Sequence, residues 1–276
     1  MVRPAVIAHR GYAGVAPENT IAAAERAAER DGTAMLEIDV RPAACGTPVV
    51  VHDERLDGTR DGRPLTDATG LVRETPLEDL RATRVLGTDA TIPSLAALLE
   101  AVPESVGVNV ELKSPGTADL RTGEALPPDD RDQRRRTWRP FVERVVADCE
   151  AFGGDLLFSS FCEGAIAALR EVADYAAAPL VGTDLAAGLE IASRYDCEAI
   201  HPPHTAILDP ESDEPATVGD ANDGSGVALL ERAHEAGRAV NVWTVRTWVQ
   251  FDRLAAAGVD GIIADYPRLG PVAGDR

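Results

Sequence analysis

Short apolar runs rich in β-branched residues recur eight times along this chain of 276 residues, and segments of helical periodicity separate most of them. The runs cover residues 5–9, 34–40, 106–113, 155–161, 178–184, 198–203, 239–245 and 260–267. Each run is apolar on both faces, which is typical of a buried strand in a parallel sheet that helices cover. This alternation is the strongest constraint on the fold.

The segments between the runs are rich in alanine and carry apolar residues at helical spacing. They cover residues 20–32, 139–154, 163–173, 186–196, 226–237 and 247–258. Gly32 is suited to end the first of them, and Pro140 is suited to the first turn of the second. About eight strand–helix repeats predict an α/β fold, a (β/α)8 TIM barrel formed by a single domain over residues 1–276. An open, doubly wound sheet is the alternative.

Two connections are longer than a bare barrel requires. Residues 41–105 follow the second strand, and we expect them to add a short strand at 47–53 and helices near 76–82 and 94–102. Residues 114–137 follow the third barrel strand and are polar, charged and interrupted by proline and glycine. We predict a mobile polar loop there.

Charge restricts the partners of this chain. It carries 46 acidic and 27 basic residues, for a formal net charge of −19, and Lys113 is its only lysine. Nucleic acid and anionic membranes are therefore excluded as partners, because both need a basic surface. An acidic surface poor in lysine is typical of a halophile, since carboxylates keep the surface hydrated in high salt. A GC-rich genome is the alternative explanation for the missing lysine.

The sequence carries no mark of export or membrane insertion. The apolar stretch at the start of the sequence is too short for a signal peptide. No apolar run reaches the ~18 residues of a helix that spans a membrane. The four cysteines form no metal-binding spacing, which favours free thiols. We expect a cytoplasmic protein without stable membrane association.

Carboxylates stand at the ends of two predicted neighbouring strands. Glu37 and Asp39 are two residues apart and share one side of their strand, and Glu111 lies on the next barrel strand. Three carboxylates in a half-buried pocket need a compensating cation, because like charges raise one another's pKa. Oxygen ligands favour Mg²⁺ or Ca²⁺. Taken singly, each carboxylate is explained as well by a salt bridge to an arginine.

Two basic residues belong to the same predicted edge. Lys113 shares its side of the strand with Glu111, and Arg10 follows the first strand. An arginine and a lysine beside a metal ion make a cationic pocket suited to a phosphate group. The alternative, in which Lys113 only neutralises Glu111, would work equally well with the arginine that this chain uses elsewhere.

His9 and His52 both end strands, and as a pair beside a metal they suit general acid and base catalysis. Each taken singly is as well explained as a core or loop histidine. Other residues at strand ends are assigned to the substrate pocket, namely Trp243, Ser160 and His201. Core packing is the alternative for Trp243, and a structural role is the alternative for His201.

The order of motifs along the chain resembles the glycerophosphodiester phosphodiesterase family. The motifs are AHRGYAGVAPENT, LEIDV, VVVHD, VELK, SSF, VNVWTV and GVDGIIADYP. The resemblance implies a barrel of the phospholipase C-like phosphodiesterase type. It implies an enzyme of lipid and glycerol metabolism that uses one divalent cation to hydrolyse a small-molecule glycerophosphodiester to an alcohol and sn-glycerol 3-phosphate. It implies a set of site residues: His9 and His52 as acid and base, Glu37, Asp39 and Glu111 as metal ligands, and Arg10 and Lys113 at the phosphate.

The chain departs from the family pattern at three places. The segment after His52-Asp53 reads ERLDGTRDG where the family usually has an arginine–threonine pair, Arg246 stands where asparagine is usual, and the loop after VELK is long. Because of these departures, the sequence does not identify the alcohol that is released. A related barrel phospholipase acting on membrane lipid and a phosphate-binding barrel without catalysis are the other hypotheses. The acidic surface with 4% aromatic residues argues against the phospholipase, and the intact set of histidines and carboxylates argues against the loss of catalysis.

Overall fold

A computed structural model describes residues 3–116, 120–208 and 226–270 of the chain. Eight parallel strands lie side by side in the order β8-β7-β6-β2-β1-β11-β10-β9. These barrel strands are β1 (Ala5–His9), β2 (Thr33–Pro42), β6 (Gly107–Leu112), β7 (Leu156–Ser160), β8 (Ala176–Pro179), β9 (Ala199–Ile200), β10 (Ala239–Val245) and β11 (Gly261–Ala264). The predicted TIM barrel is confirmed.

The first and last strands of this order close the barrel through a narrow contact. The His201 N–H donates to the Pro179 carbonyl at 3.0 Å, and the Val181 N–H donates to the His201 carbonyl at 3.0 Å. Strands β8 and β9 are shorter than the apolar runs predicted, because the chain turns after Pro179 and Ile200 and leaves a single bridge between Leu180 and His201.

Helices cover the outside of the strands. They are α1 (Ile21–Ala28), α2 (Leu77–Ala82), α3 (Leu95–Ala101), α4 (Pro128–Cys149), α5 (Glu163–Val172), α6 (Leu185–Arg194), α7 (His204–Ile207), α8 (Gly226–Glu235) and α9 (Trp248–Ala257), with one 3-10 turn at Val72–Glu74. The prediction that Gly32 ends the first helix is wrong, because α1 already ends at Ala28 and its C-cap is Glu29. Gly258 ends α9 in the left-handed region with φ of 89°, where a residue without Cβ meets no steric penalty.

The long segment after β2 adds the extra strand and helices that its sequence predicts. Strand β3 (Pro48–Val50) runs antiparallel to the end of β2, and β4 (Thr59–Arg60) and β5 (Arg63–Pro64) form a small hairpin. Apolar side chains of this segment, such as Leu56, Leu80 and Ile92, form their own buried cluster. The segment therefore has a small hydrophobic core of its own beside the ends of the barrel strands.

The polar loop predicted at 114–137 is wrong over its last ten residues, because α4 begins at Pro128 rather than at Arg139. Pro128 suits a first helical turn, and Asp129 and Asp130 favour the positive end of the helix dipole. Pro140 consequently lies inside the helix rather than in its first turn. Residues 117–119 of the predicted loop lie outside the described residues.

Helices α4 and α5 pack closely because one position between them carries no side chain. A Cβ at Gly164 would lie 2.7 Å from Cβ of Arg134 and 2.9 Å from Cδ1 of Trp138. The Trp138 side chain is fully buried at this contact. Among the described residues, no helix combines the length and the apolar character that crossing a bilayer requires.

We predict that Gly164→Ala destabilises the fold by about 1–3 kcal/mol, since the added methyl group overpacks a contact that backbone and a buried ring both restrict. Gly182→Ala is the matched control, because a Cβ there meets no atom within 4 Å and should change stability by less than about 1 kcal/mol. Urea unfolding of the two variants measures the difference. Equal midpoints would contradict this account of the α4–α5 contact.

Candidate active site

A cavity of about 90 Å³ opens among the carboxyl ends of the barrel strands. This is the end at which barrels of this kind place their functional loops. Its polar wall includes His9, Arg10, Glu37, His52, Glu111 and Lys113. An apolar wall is formed by Phe161, Leu180 and Trp243. Most of the polar residues that the sequence singled out therefore meet in one place.

Three carboxylates converge at this cavity from two neighbouring strands. Asp39 and Glu111 are paired residues in the register of β2 and β6, and Glu37 is paired with His9 in the register of β1 and β2. One oxygen from each of Glu37, Asp39 and Glu111 lies within 4.8 Å of the others, and all three residues are buried. Their separation and their oxygen chemistry suit a hard divalent cation.

Burial and the nearby charges shift the pKa values of these carboxylates in different directions. Burial, together with the charges of Asp39 and Glu111, raises the pKa of Glu37 well above its usual range. Burial also raises the pKa of Glu111 to about 7, despite the neighbouring Lys113. Burial favours the neutral form of Asp39 as well, but Lys113 and Arg10 outweigh it and hold its pKa well below the usual range. The protein's own cations thus compensate one carboxylate fully and the other two only in part.

Arg10 and Lys113 stand directly among these carboxylates. The Arg10 backbone N–H donates to Glu37 Oε2 at 3.0 Å, and its guanidinium lies 2.9 Å from Glu18 Oε1 and 3.1 Å from Asp39 Oδ2. The Lys113 ammonium is 3.1 Å from Asp39 Oδ1 and closer still to Glu111 Oε1. Both cations line the cavity, so they are available to an anion there.

His9 is braced by a carboxylate from the last strand of the barrel. Its Nδ1 lies 2.6 Å from Asp265 Oδ1, and Arg246 donates from Nε to the other oxygen of Asp265 at 2.7 Å. Burial alone would raise the pKa of Asp265, but the bond from His9 and the Arg246 contact lower it. An ionised Asp265 accepts from Nδ1–H, which leaves the Nε2 atom of His9 free for proton transfer.

His52 has the same arrangement with its own neighbour. Its Nδ1 lies 2.5 Å from Asp53 Oδ1, and its backbone carbonyl accepts from Arg41 Nε at 2.7 Å. Burial lowers the pKa of His52, and the bond from His52 lowers the pKa of Asp53. The cavity therefore holds two imidazoles that are each fixed at Nδ1 by a carboxylate.

The PENT segment supports the acidic cluster as well as the first helix. Thr20 caps α1 by accepting from the Ala23 N–H at 3.2 Å. Asn19 binds Asp39, donating to its Oδ2 at 2.7 Å and accepting from its backbone N–H at 3.1 Å. Glu18 accepts from Arg10 Nη1 at 2.9 Å.

The residues predicted for the substrate pocket divide into two groups. Trp243 lines the cavity and meets the Phe161 ring edge to face, with ring centroids 5.6 Å apart. Ser160 and His201 are not among the residues that line it. The Ser160 hydroxyl turns inward to the Leu112 carbonyl at 2.9 Å, and Ser159 reaches the cavity instead.

His201 is fully buried, and burial lowers its pKa to about 3. Its Nε2 accepts from the Asn241 amide at 3.0 Å, and its carbonyl accepts from Trp243 Nε1–H at 2.8 Å. His201 therefore supports the orientation of Trp243 from below the cavity.

Sequence reasoning missed the partners that hold the site residues. Asp265 was visible at the end of the last strand, and its position opposite His9 follows once the barrel closes β11 onto β1. Asp53 was visible beside His52. Arg60, which contacts both Glu18 and Asp53, lies in the segment ERLDGTRDG that departs from the family pattern, but its partners could not be predicted, because its hairpin reaches the site only through tertiary packing.

Comparison with known proteins identifies relatives over the full barrel. A sequence model of the glycerophosphoryl diester phosphodiesterase family matches residues 9–269. The glycerophosphodiester phosphodiesterase of Caldanaerobacter subterraneus subsp. tengcongensis is 29% identical over 272 residues, which cover 95% of this chain and 94% of the relative. Glycerophosphodiester phosphodiesterase 1 of Homo sapiens is 35% identical over 115 residues, which cover 40% of this chain and 33% of the relative.

Solved structures agree with this result. A phosphodiesterase of Oleispira antarctica, solved in complex with the product sn-glycerol-3-phosphate, superposes with a TM-score of 0.73 at 26% identity, covering 96% of this chain and 94% of that one. A structure from Thermotoga maritima shares the fold, with a TM-score of 0.67 at 22% identity and coverage of 96% of both chains. Because the family match spans nearly the whole described barrel, the chain belongs to the glycerophosphoryl diester phosphodiesterase family.

Proposed function

We propose that this enzyme hydrolyses glycerophosphodiesters to an alcohol and sn-glycerol 3-phosphate, with Glu37, Asp39 and Glu111 holding one divalent cation, Mg²⁺ or Ca²⁺. The observation that carries the proposal is the convergence of these three buried carboxylates with two carboxylate-braced imidazoles in one cavity. The names of the full-length relative and of the product complex support the substrate class.

Arg10 and Lys113 bind the phosphoryl group in this proposal. Both lie at the cavity surface with cationic atoms within 3.1 Å of Asp39 oxygens, so an entering phosphate meets two positive charges that are already ordered. Arginine offers a planar pair of donors and lysine a compact point charge. When bound, the divalent cation would polarise the phosphoryl oxygens and neutralise charge that develops there.

The two histidines transfer the protons. With Nδ1 committed to Asp265 or Asp53, each imidazole offers its Nε2 to the cavity. One Nε2 takes a proton from the attacking water, whose oxygen stays on the phosphate of sn-glycerol 3-phosphate, and the other donates a proton to the departing alcohol oxygen. The carboxylates keep each ring in one orientation and stabilise its protonated form, and the P–O bond to the alcohol breaks as the new P–O bond forms.

A second candidate is the hydrolysis of a lipid that carries an acyl chain. The acidic surface and the aromatic content of 4% argue against it. However, the large hydrophobic side chains that the structure exposes, Val15, Trp248 and Tyr266, all follow the carboxyl ends of three adjacent strands, β1, β10 and β11. Release of choline from lysophosphatidylcholine at a rate exceeding that from glycerophosphocholine would favour this candidate.

Chelation should abolish activity. We expect EDTA in molar KCl to lower turnover of glycerophosphocholine and glycerophosphoethanolamine by at least about tenfold, and Mg²⁺ or Ca²⁺ to restore it. Without the divalent cation, the phosphoryl group is no longer polarised, and the close carboxylates take up protons. Glu111→Gln should reproduce the loss, whereas Glu104→Gln, at an exposed carboxylate, should not. Undiminished turnover in chelator would refute the metal assignment.

Both His9 and His52 should be required for activity, and the leaving group of the substrate should distinguish the general acid from the general base. We expect His9→Ala and His52→Ala to lower kcat by about 10²–10⁴-fold on glycerophosphocholine. On a p-nitrophenyl ester of glycerol phosphate, the variant lacking the general acid should recover most of its rate, because p-nitrophenolate leaves without a proton. His234→Ala, at an exposed histidine, is the control. Full activity of either cavity variant would remove that histidine from the mechanism.

Lys113 should not be replaceable by arginine. Its ammonium contacts both Asp39 and Glu111 and lies 5.9 Å from the centroid of the Phe161 ring, and a planar guanidinium would present its charge there in a different shape. We expect Lys113→Arg to lower kcat/KM by about 10-fold or more, close to the loss in Lys113→Ala. Steady-state kinetics of the two variants test this, and unaltered kinetics of Lys113→Arg would show that only the charge matters.

A further inference from the structure

Arg60 lies outside the cavity and contacts two carboxylates, Glu18 and Asp53, that each hold a residue of the candidate site. It lies in β4 of the small hairpin, within the segment inserted after β2. Its Nε and Nη2 atoms donate to the two carboxylate oxygens of Glu18 at 2.9 and 3.0 Å. The same Nη2 lies 3.4 Å from both carboxylate oxygens of Asp53. One guanidinium therefore faces two carboxylates that belong to different parts of the site.

Each of those carboxylates holds a residue that the proposed reaction uses. Glu18 is 4% exposed and accepts from Arg10 Nη1 at 2.9 Å as well as from Arg60. Asp53 accepts from His52 Nδ1 at 2.5 Å. Positive and negative groups thus alternate from the acidic cluster to the second histidine, in the order Asp39, Arg10, Glu18, Arg60, Asp53 and His52.

We propose that Arg60 is a positioning residue that fixes the phosphate-binding Arg10 and the imidazole of His52 relative to each other. This inference rests on the function proposed above. Arg60 does not line the catalytic cavity, so it acts through Glu18 and Asp53 rather than on substrate. Without it, the buried Glu18 would have Arg10 as its remaining cationic partner among the described residues and would draw it away from the phosphoryl group. Asp53 would lose its guanidinium contact and hold the His52 ring less firmly.

The geometry asks for a guanidinium at this point. Two carboxylates must be met by one cation, and the planar fork of arginine offers several fixed donors, whereas an ammonium is a single point charge. Gly58, two residues earlier, leaves room for this contact, because a Cβ there would already lie 3.3 Å from Asp53 Oδ2. The guanidinium of Arg60 reaches Asp53 from the same hairpin.

The test compares Arg60→Ala and Arg60→Lys with Arg63→Ala in the whole chain, assayed on glycerophosphocholine with the divalent cation present. Arg63 is exposed, pairs with Arg60 across the hairpin and makes no ion pair within the described part of the chain. We expect Arg60→Ala to lower kcat by about 10–100-fold, the range for a group that orients site residues from outside. Arg60→Lys should recover part of that loss, and Arg63→Ala should stay within about twofold of wild type.

Chemical rescue separates positioning from folding. Added guanidinium ion, below the concentration that shifts the melting temperature, should raise kcat of Arg60→Ala severalfold and leave Arg63→Ala unchanged. A kcat of Arg60→Ala within twofold of wild type would overturn the inference, and so would a loss explained by a lower melting temperature and unaffected by guanidinium. Absence of turnover by the wild-type chain would instead overturn the proposed function itself, and with it this inference.

Discussion

Mutual repulsion among buried carboxylates is the constraint on which the rest of the site depends. Glu37, Asp39 and Glu111 approach within 4.8 Å because two parallel strands place them in adjacent register. Burial raises the pKa values of Glu37 and Glu111, so the cluster is stable in its ionised form only beside positive charge. Lys113, Arg10 and the proposed divalent cation together meet that requirement, and the same charges make the cavity attractive to a phosphodiester.

The cationic groups of the cavity contrast with the negative charge of the protein as a whole. A chain with a net charge of −19 repels anions over most of its surface, yet its cavity presents two ordered cations to an anionic substrate. The surrounding carboxylates do not cancel this effect, because each is bound to a cation or an imidazole: Glu18 to two arginines, Asp53 to His52, and Asp265 to His9. Fixed pairs of opposite charge thus hold the candidate site residues, and Glu37 and Glu111 at the cavity wall are the carboxylates whose charge the proposed divalent cation would compensate.

The sequence predicted the barrel and the main site residues because both follow from local patterns. Paired spacing in LEIDV and VELK puts acidic and basic side chains on one side of each strand, and parallel strands bring their carboxyl ends to the same edge. Not every predicted feature is found, and the causes differ. Ser160 and His201 also end strands, but Ser159 rather than Ser160 reaches the cavity, and His201 is buried where β8 and β9 close the barrel. Helix α4 began early because Pro128 starts a helix as readily as Pro140 does.

The sequence by itself determined the fold class and the strand ends at which the candidate site residues lie, since these depend on periodicity and on neighbours within a few residues. Only the tertiary structure decided which groups hold them. Asp265 contacts His9 across a sequence separation of 256 residues, and Arg60 contacts Glu18 across a separation of 42. Contacts of that separation are set by barrel closure and by the packing of the inserted hairpin, and no local pattern of residues encodes the distance between their side chains.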